Sequence, residues 1–349
     1  MKKKKISFCT VCMNRTSFLK QTLPKNIEYN LAYGNIEFVI LNYNSTDGMH
    51  EWITKEMSHH IDSGLIRYVR TLEPQYFRWS HSKNVVALQA SGEIICNLDA
   101  DNFTGQGFAT YINNQFQKNE QIFLAVDKGS TIRDCYGRIC AKKSDFLKVR
   151  GYDEAMDFYG YEDFDLMYRL ELSGVKKERI ENKKFLKAVL HSNEERLINR
   201  FNNTVIQKIY IRYETLSIST LLFLFGNGSA YLGKVIENRT VNAKSIENLF
   251  PENRNHEYTY ELLDNKWDSG THSLQEGVFI NGQALEISEG YYEISNREIF
   301  FSMTMFYSQI TNRVRMEQNK ANKLWRVNHE TFGEVKIEKI GLGDSTVHL

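Results

Sequence analysis

Asp99 and Asp101 stand at the end of the run Glu93-Ile94-Ile95-Cys96-Asn97-Leu98, and their spacing is the first chemical signal in this chain. Residues two apart on extended backbone point to the same side, so the two carboxylates are expected to converge. Two carboxylates a few Å apart repel, and a divalent cation or a proton relieves the repulsion. At the carboxyl end of a strand in an α/β sheet, the fitting occupant is a metal that carries phosphates. The plainer reading is two solvated turn aspartates, because a lone DxD is a short and common motif. A second acidic pair, Glu162-Asp163, comes before Leu166, Met167 and Leu170, which recur at helical spacing. Both carboxylates then fall in the first turn of a helix, where the macrodipole favours negative charge. A base that takes a proton from a substrate would sit equally well there. Asp165 is spaced to pair with Arg169 one turn on.

The elements that position these residues are legible in the same way. Residues 6–13 read as a first buried strand, and Asn14-Arg15-Thr16 turns into a segment with Phe18, Leu19 and Leu23 at helical spacing. Residues 36–41 form a second apolar strand. The stretch from Asn42 to Gly48 is rich in turn residues and caps a helix over 49–57. Residues 65–69 form a third strand, 84–90 a short helix closed by Ser91-Gly92, and 94–98 the strand that leads to Asp99. Strand and helix alternate, with the polar turns on one side of the sheet: an α/β nucleotide-binding pattern. There is no GxGxxG and no Walker loop, so phosphate chemistry must rest on metal and side chains.

Composition bounds the rest. The 349 residues carry 44 Lys+Arg against 43 Asp+Glu, a balance that gives no electrostatic case for nucleic acid. With 42% apolar residues and only 3 prolines, the chain has material for a large core and little for long disordered linkers. The five cysteines do not form a secreted disulfide framework, and Cys9 and Cys12 read as buried thiols rather than a zinc half-site. No long apolar region follows the basic start Met1-Lys2-Lys3-Lys4-Lys5, so it is not read as a signal peptide. A reduced, cytoplasmic protein is expected, with peripheral contact to anionic lipid at the inner face of a membrane left open.

Two ordered blocks resemble a known family. Ser45-Thr46-Asp47-Gly48, Ser82-Lys83-Asn84 ahead of Ala90-Ser91-Gly92-Glu93, and Leu98-Asp99-Ala100-Asp101 resemble the nucleotide-sugar half of a family-2-type glycosyltransferase with the GT-A fold. Gly151-Tyr152-Asp153-Glu154 followed by Tyr159-Gly160-Tyr161-Glu162-Asp163-Phe164-Asp165 resembles the acceptor-side motif of the same superfamily, shared with galactosyltransferases. The resemblance covers roughly residues 6–200. It implies a mixed, mostly parallel sheet flanked by helices, a Mn2+ or Mg2+ ion, a nucleotide-sugar donor, most simply UDP-linked, and an acceptor hydroxyl on a glycan or lipid-linked glycan. By analogy it also implies inversion at the transferred sugar and a place in bacterial surface-glycan synthesis. Carried over position by position, Asp99 and Asp101 face nucleoside and metal, and His191 stands where a third metal ligand occurs. Asp163 is the base, and Glu162 binds sugar hydroxyls. Asn14, Arg15, Asn42, Asp47, Lys83 and Asn84 face the donor. Asn42 departs from the pattern, which commonly has an aspartate there to read the nucleobase. Trp79, Tyr159 and Tyr161 are expected as exposed-turn aromatics, an acceptor platform or, equally, core packing.

Beyond about residue 200 the resemblance fades. Residues 200–225 are expected to form a long helix, with a break at Gly226-Asn227-Gly228-Ser229, so the chain is divided into a GT-A domain, 1–225, and an accessory α+β region, 226–349. In that region 258–263, 277–280, 284–287 and 291–294 read as strands, with a hairpin at Asn281-Gly282, and 297–307 as a helix. Two rivals stand beside the transferase reading. A sugar-phosphate nucleotidyltransferase would carry a Gly-rich basic loop after the first strand, where this chain has Cys12-Met13-Asn14-Arg15-Thr16. A catalytically silent carbohydrate-binding relative could have lost either acidic pair, and both are kept.

Overall fold

The computed structural model describes residues 3–126, 133–191, 195, 199, 206–213, 218–226, 230–236, 260–266, 278–280, 283–285, 291–341 and 346–348. The chain divides into two compact units, residues 1–191 with 309–349, and residues 192–308.

The first unit opens with β1 (Ile6–Cys12), α1 (Thr16–Asn30), β2 (Ile36–Tyr43), α2 (Met49–Glu56), α3 (Ser58–Asp62) and β3 (Ile66–Thr71). There follow α4 (Trp79–Gln89), β4 (Ile94–Asn97), β5 (Asn102–Phe103), α5 (Phe108–Lys118), β6 (Ile122–Ala125), β7 (Cys140–Lys142) and α6 (Lys143–Lys148). Then come α7 (Glu162–Leu172), β8 (Lys176–Arg179) and the two-residue β9 (Lys187–Ala188), which pairs with β5. Among strands β1 to β8 the main sheet runs in the order β3-β2-β1-β4-β7-β6-β8. Only the two pairings of β7 are antiparallel there. This is the mixed, mostly parallel GT-A sheet that the resemblance implied. Its central strands are covered on both faces, which is why they read as near-continuous apolar runs. Alternate residues feed two cores: Phe8, Phe38, Ile40 and Ile94 meet Leu19, Leu23 and Phe108 on one face. Cys9, Val39, Leu41 and Ile95 meet Val85, Val86, Phe146 and Leu166 on the other. All five cysteines are buried free thiols.

The helix expected over 84–90 begins five residues earlier, at Trp79. Its first turn, Trp79-Ser80-His81-Ser82, is buried nearly all round and so shows no amphipathic stripe. The strand before His191 is confined to β9, and Leu190 is exposed.

The second unit corrects one expectation outright. In place of a helix over 200–225, the described residues form the antiparallel pair β10 (Ile206–Tyr213) and β11 (Ile218–Phe225). Their β-branched and aromatic residues gain more from cross-strand pairing, such as Ile211 opposite Leu221, than from a helix. β12 (Ala230–Ile236) and β13 (Tyr260–Lys266) extend this sheet. β14 (Val278–Ile280) and β15 (Gln283–Leu285) pair with Ile280 opposite Gln283, as the expected hairpin requires, although residues 281 and 282 themselves lie outside the described set. So do 227–229, where the break was expected. β16 (Tyr291–Glu293) pairs with β10.

The long helix α8 (Arg297–Ala321) contains the expected helix and runs well past it. Its last turns belong to the first unit, as do β17 (Lys336–Ile340) and β18 (Thr346–His348). β17 lies antiparallel to β3 and β18 antiparallel to β17, together widening the main sheet to nine strands, an edge addition that no sequence signal announced. The basic start of the chain has local partners: Lys4 pairs with Glu120 at 2.8 Å and Lys5 with Glu37 at 3.2 Å. No helix among the described residues is long and apolar enough to cross a membrane.

Candidate active site

The chain leaves β4 at Asn97 and turns at once: the Asn102 amide donates to the Asp99 carbonyl at 3.0 Å. The two carboxylates beside that turn have different partners. Asp99 lies over Gly137 and accepts from the Asn97 side-chain amide at 3.3 Å. Asp101 is buried. Its Oδ2 meets His191 Nε2 at 2.6 Å and Arg15 at 3.3 Å, while its Oδ1 accepts from Asn102 Nδ2 at 2.7 Å. Burial raises the carboxyl of Asp101, but the hydrogen bond from His191 and the charge of Arg15 outweigh it and hold it below the usual range. Asp99 goes the other way: burial, with the charges of Asp101 and Glu162, lifts it against the pull of Lys83.

The second acidic pair opens α7, as its spacing predicted. Its first turn starts from Tyr161, which holds a left-handed backbone (φ 65°). Lys83, on the buried α4, reaches this turn and pairs with Glu162 at 2.9 Å and with Asp163 at 2.8 Å. Lys83 therefore binds the acidic pair itself, and its pKa is raised: burial opposes its charge, and the two carboxylates more than restore it. Burial pushes Asp163 up to about 7, with Glu162 and Asp99 helping and Lys83 opposing. A carboxylate poised near neutrality is what proton abstraction at pH 7 requires. Asp165 pairs with Arg169 as expected, at 2.6 Å, with both side chains fully buried.

Gly137 joins the two carboxylate groups and was not foreseen, since nothing in Tyr136-Gly137-Arg138 marks it. A Cβ there would lie 2.8 Å from Asp99 Oδ2 and 3.3 Å from Asp163 Oδ2. Both atoms are tips of side chains that can swing, so Gly137→Ala should leave the melting temperature nearly unchanged. Displacing catalytic carboxylates by a few tenths of an ångström to an ångström should lower turnover per folded molecule by roughly 10- to 100-fold. Parallel thermal melts and rate measurements check this, and an active variant would remove the two carboxylates from a shared site.

Several of the residues expected on the donor side are tied into the scaffold. Asp47 accepts from Thr16 N at 2.8 Å and Thr16 Oγ1 at 2.6 Å, fixing the start of α1. Asn14 also holds a left-handed backbone (φ 52°), and its Oδ1 accepts from Thr46 N at 2.7 Å. The Asn42 amide accepts from Ser45 N at 2.8 Å and donates to Tyr68 Oη at 3.0 Å. Asn84 grips the backbone of Tyr152 at both N and O, and donates to Glu154 at 2.9 Å, which locks α4 to the Gly151-Tyr152-Asp153-Glu154 block. Trp79 departs from its expected exposure. It is buried, edge-on to Phe77 at 5.2 Å and to Tyr159 at 5.6 Å, while Tyr159 and Tyr161 remain half-buried.

Asp101 and His191 converge closely enough to share a cation. Among the described residues no group of three or more His, Cys, Asp and Glu side chains gathers into a full metal cage. One carboxylate and one imidazole suit Mn2+ better than Mg2+, and such an ion commonly completes its shell with phosphate oxygens and water. The donor set therefore fits such an ion.

Two family models match parts of the chain. Residues 7–141 match the family model described as glycosyl transferase family 2, and residues 130–192 match that described as the N-terminal domain of galactosyltransferase. No curated protein sequence matches the chain. Solved structures that resemble it include a mannosyltransferase from Pyrobaculum calidifontis in complex with GDP-mannose and Mn2+. It is 16% identical, with a TM-score of 0.43, over 51% of this chain and 55% of that one. TarS from S. aureus is 13% identical, with a TM-score of 0.44, over 55% of this chain and 61% of that one. The match thus spans little more than half of either relative.

Proposed function

We propose, from a chain whose residues 7–192 form a glycosyltransferase domain of the GT-A type, that this protein moves a sugar from a UDP-linked donor to an acceptor hydroxyl with inversion. A divalent cation would be held by Asp101 and His191, with Asp99 beside them. The observation that carries the reading is the Lys83–Glu162–Asp163 cluster facing Asp99 across Gly137. It puts a base poised near neutrality next to the carboxylates expected to hold donor and metal.

In this reading the acceptor oxygen attacks the anomeric carbon as the bond from that carbon to the diphosphate breaks. Asp163 takes the proton that the acceptor hydroxyl releases. Lys83 fixes the orientation of Asp163, and Glu162 is left to accept from sugar hydroxyls. Arg15 and His191 keep Asp101 ionised. The cation, when bound, supplies charge neutralisation for the departing diphosphate. Tyr159 and Tyr161 would offer ring faces to the acceptor sugar. The nucleotide, the glycan or lipid-linked acceptor and a role in surface-glycan synthesis rest on the family resemblance.

Calorimetry with UDP tests the reading. Binding should require Mn2+ and vanish with chelator. Asp101→Asn should weaken Mn2+ by roughly 10- to 100-fold, and His191→Ala by less. Metal-independent UDP binding, or unchanged Mn2+ affinity in Asp101→Asn, would overturn the assignment. Pyrophosphate release from UTP and a sugar phosphate would instead identify a nucleotidyltransferase.

A further inference from the structure

Residues 309–341 follow the second unit in sequence yet belong to the first in space, and three of their asparagines grip the acceptor-side block. Asn328 donates to the carbonyls of Arg150 at 2.7 Å and Tyr152 at 2.5 Å, and accepts from Glu154 N at 2.9 Å. Asn319 donates to Asp153 and to Asp165, both at 2.9 Å, and Arg315 adds an ion pair to Asp153 at 2.9 Å. Asn312 is buried, and its amide nitrogen donates to the carbonyls of Phe158 at 2.6 Å and Gly160 at 2.7 Å. These carbonyls flank Tyr159, one of the two aromatics that remain half-buried beside the site.

The turn that Asn312 holds is a costly one. Gly160 (φ 92°) and Tyr161 (φ 65°) take left-handed backbone in succession, and Tyr161 has a Cβ to accommodate. Such conformations persist where the surroundings over-determine them, and they cluster where the backbone must aim a functional group. Here the next residues are Glu162 and Asp163. A buried amide that clamps the carbonyls on both sides of Tyr159, just ahead of the acidic pair, sets the direction in which α7 starts.

We infer that Asn312 is a positioning residue for the sugar-transfer reaction: it holds the turn 158–161 so that Asp163 meets the acceptor hydroxyl and Tyr159 and Tyr161 form the acceptor contact. The C-terminal segment is then a working part of the acceptor side. This rests on the transferase reading for the chemistry, though not for the clamp.

The test uses the full chain with Asn312→Asp, which keeps the shape but removes both donated hydrogens, and Asn312→Ser, which keeps a single hydroxyl donor. Hydrogen exchange of the Asp165 amide, which donates to the Tyr161 carbonyl at 2.9 Å, should quicken at least tenfold in Asn312→Asp and less in Asn312→Ser, with β1 and β2 unchanged. Transfer, normalised to UDP–Mn2+ binding sites, should fall roughly 10- to 100-fold in kcat with a raised acceptor KM, while UDP–Mn2+ affinity stays within about twofold. Asn312→Ser should recover part of the rate. A purely scaffolding Asn312 would lower the melting temperature and leave the rate per binding site as in the parent, which overturns the inference. Unchanged exchange of the Asp165 amide overturns it as well, including in a protein that shows no transfer. Failure of the parent to bind UDP with Mn2+ sinks the transferase reading separately. If Asn312→Asp does not fold, Asn312→Ser decides on the same measurements.

Discussion

Asp163→Asn should abolish most sugar transfer, a fall of roughly two to four powers of ten, while UDP–Mn2+ affinity survives. The amide keeps the size of the side chain and its contact with α7, and Lys83 keeps Glu162 at 2.9 Å. What goes is the basic oxygen. Donor hydrolysis falls with transfer, because water needs the same base. In the parent, burial raises Asp163 to about 7, so the rate climbs with pH as this carboxyl loses its proton and levels off above that value. Stability runs in the opposite sense. The folded pKa lies above the unfolded value of about 3.9, so the contribution of this group is fully present below the unfolded value and is lost as pH rises through about 7. The melting temperature of Asp163→Asn relative to the parent should therefore improve across that window. Equal rates for variant and parent remove Asp163 from the role of base. Retention of the donor's anomeric configuration in the product, read from proton NMR coupling, would exclude inversion.

Asp165→Asn, two residues on, acts on folding rather than chemistry. Asp165 and Arg169 are both fully buried and pair at 2.6 Å, with Asn319 on the other carboxylate oxygen and the Val149 carbonyl on the guanidinium. Removing the negative partner leaves a buried guanidinium uncompensated, which costs roughly 3–5 kcal/mol. The urea midpoint should drop accordingly, while the rate per UDP–Mn2+ site stays close to that of the parent. Replacing Arg169 as well, by Met, should recover much of the loss, since it removes the uncompensated buried charge. A loss under about 1 kcal/mol for Asp165→Asn alone would mean that water reaches the pair.

The contrast between these neighbours was only half legible in the sequence. The i,i+4 spacing announced the Asp165–Arg169 pair, and the apolar period of Leu166, Met167 and Leu170 placed Glu162 and Asp163 at a helix start. That Lys83 joins them, 79 and 80 residues away, could not be read, because a long-range ion pair leaves no mark in local pattern. In the sequence Lys83 stood only among the residues facing the donor. The Asp99/Asp101 pair was legible as two neighbouring carboxylates, but not the turn, closed by the Asn102 amide, that gives each its own partners. The helix expected over 200–225 failed because apolar, β-branched residues pack in a hairpin as readily as in a helix, and only partner strands decide between them.

By itself the sequence determined the alternating strands and helices of the first unit, the two acidic pairs and the polar turns at one sheet edge. These follow from periodicity, capping and turn chemistry, which act over a few residues. Only the tertiary structure decided that Asp101 turns to His191 while Asp99 faces Asp163 across Gly137, that Trp79 is buried, and that residues 309–341 return to clamp the turn before α7 and to edge the sheet beside β3. Those outcomes depend on buried hydrogen bonds and charges from distant parts of the chain, whose cost when unpaired selects one arrangement among many that local pattern permits.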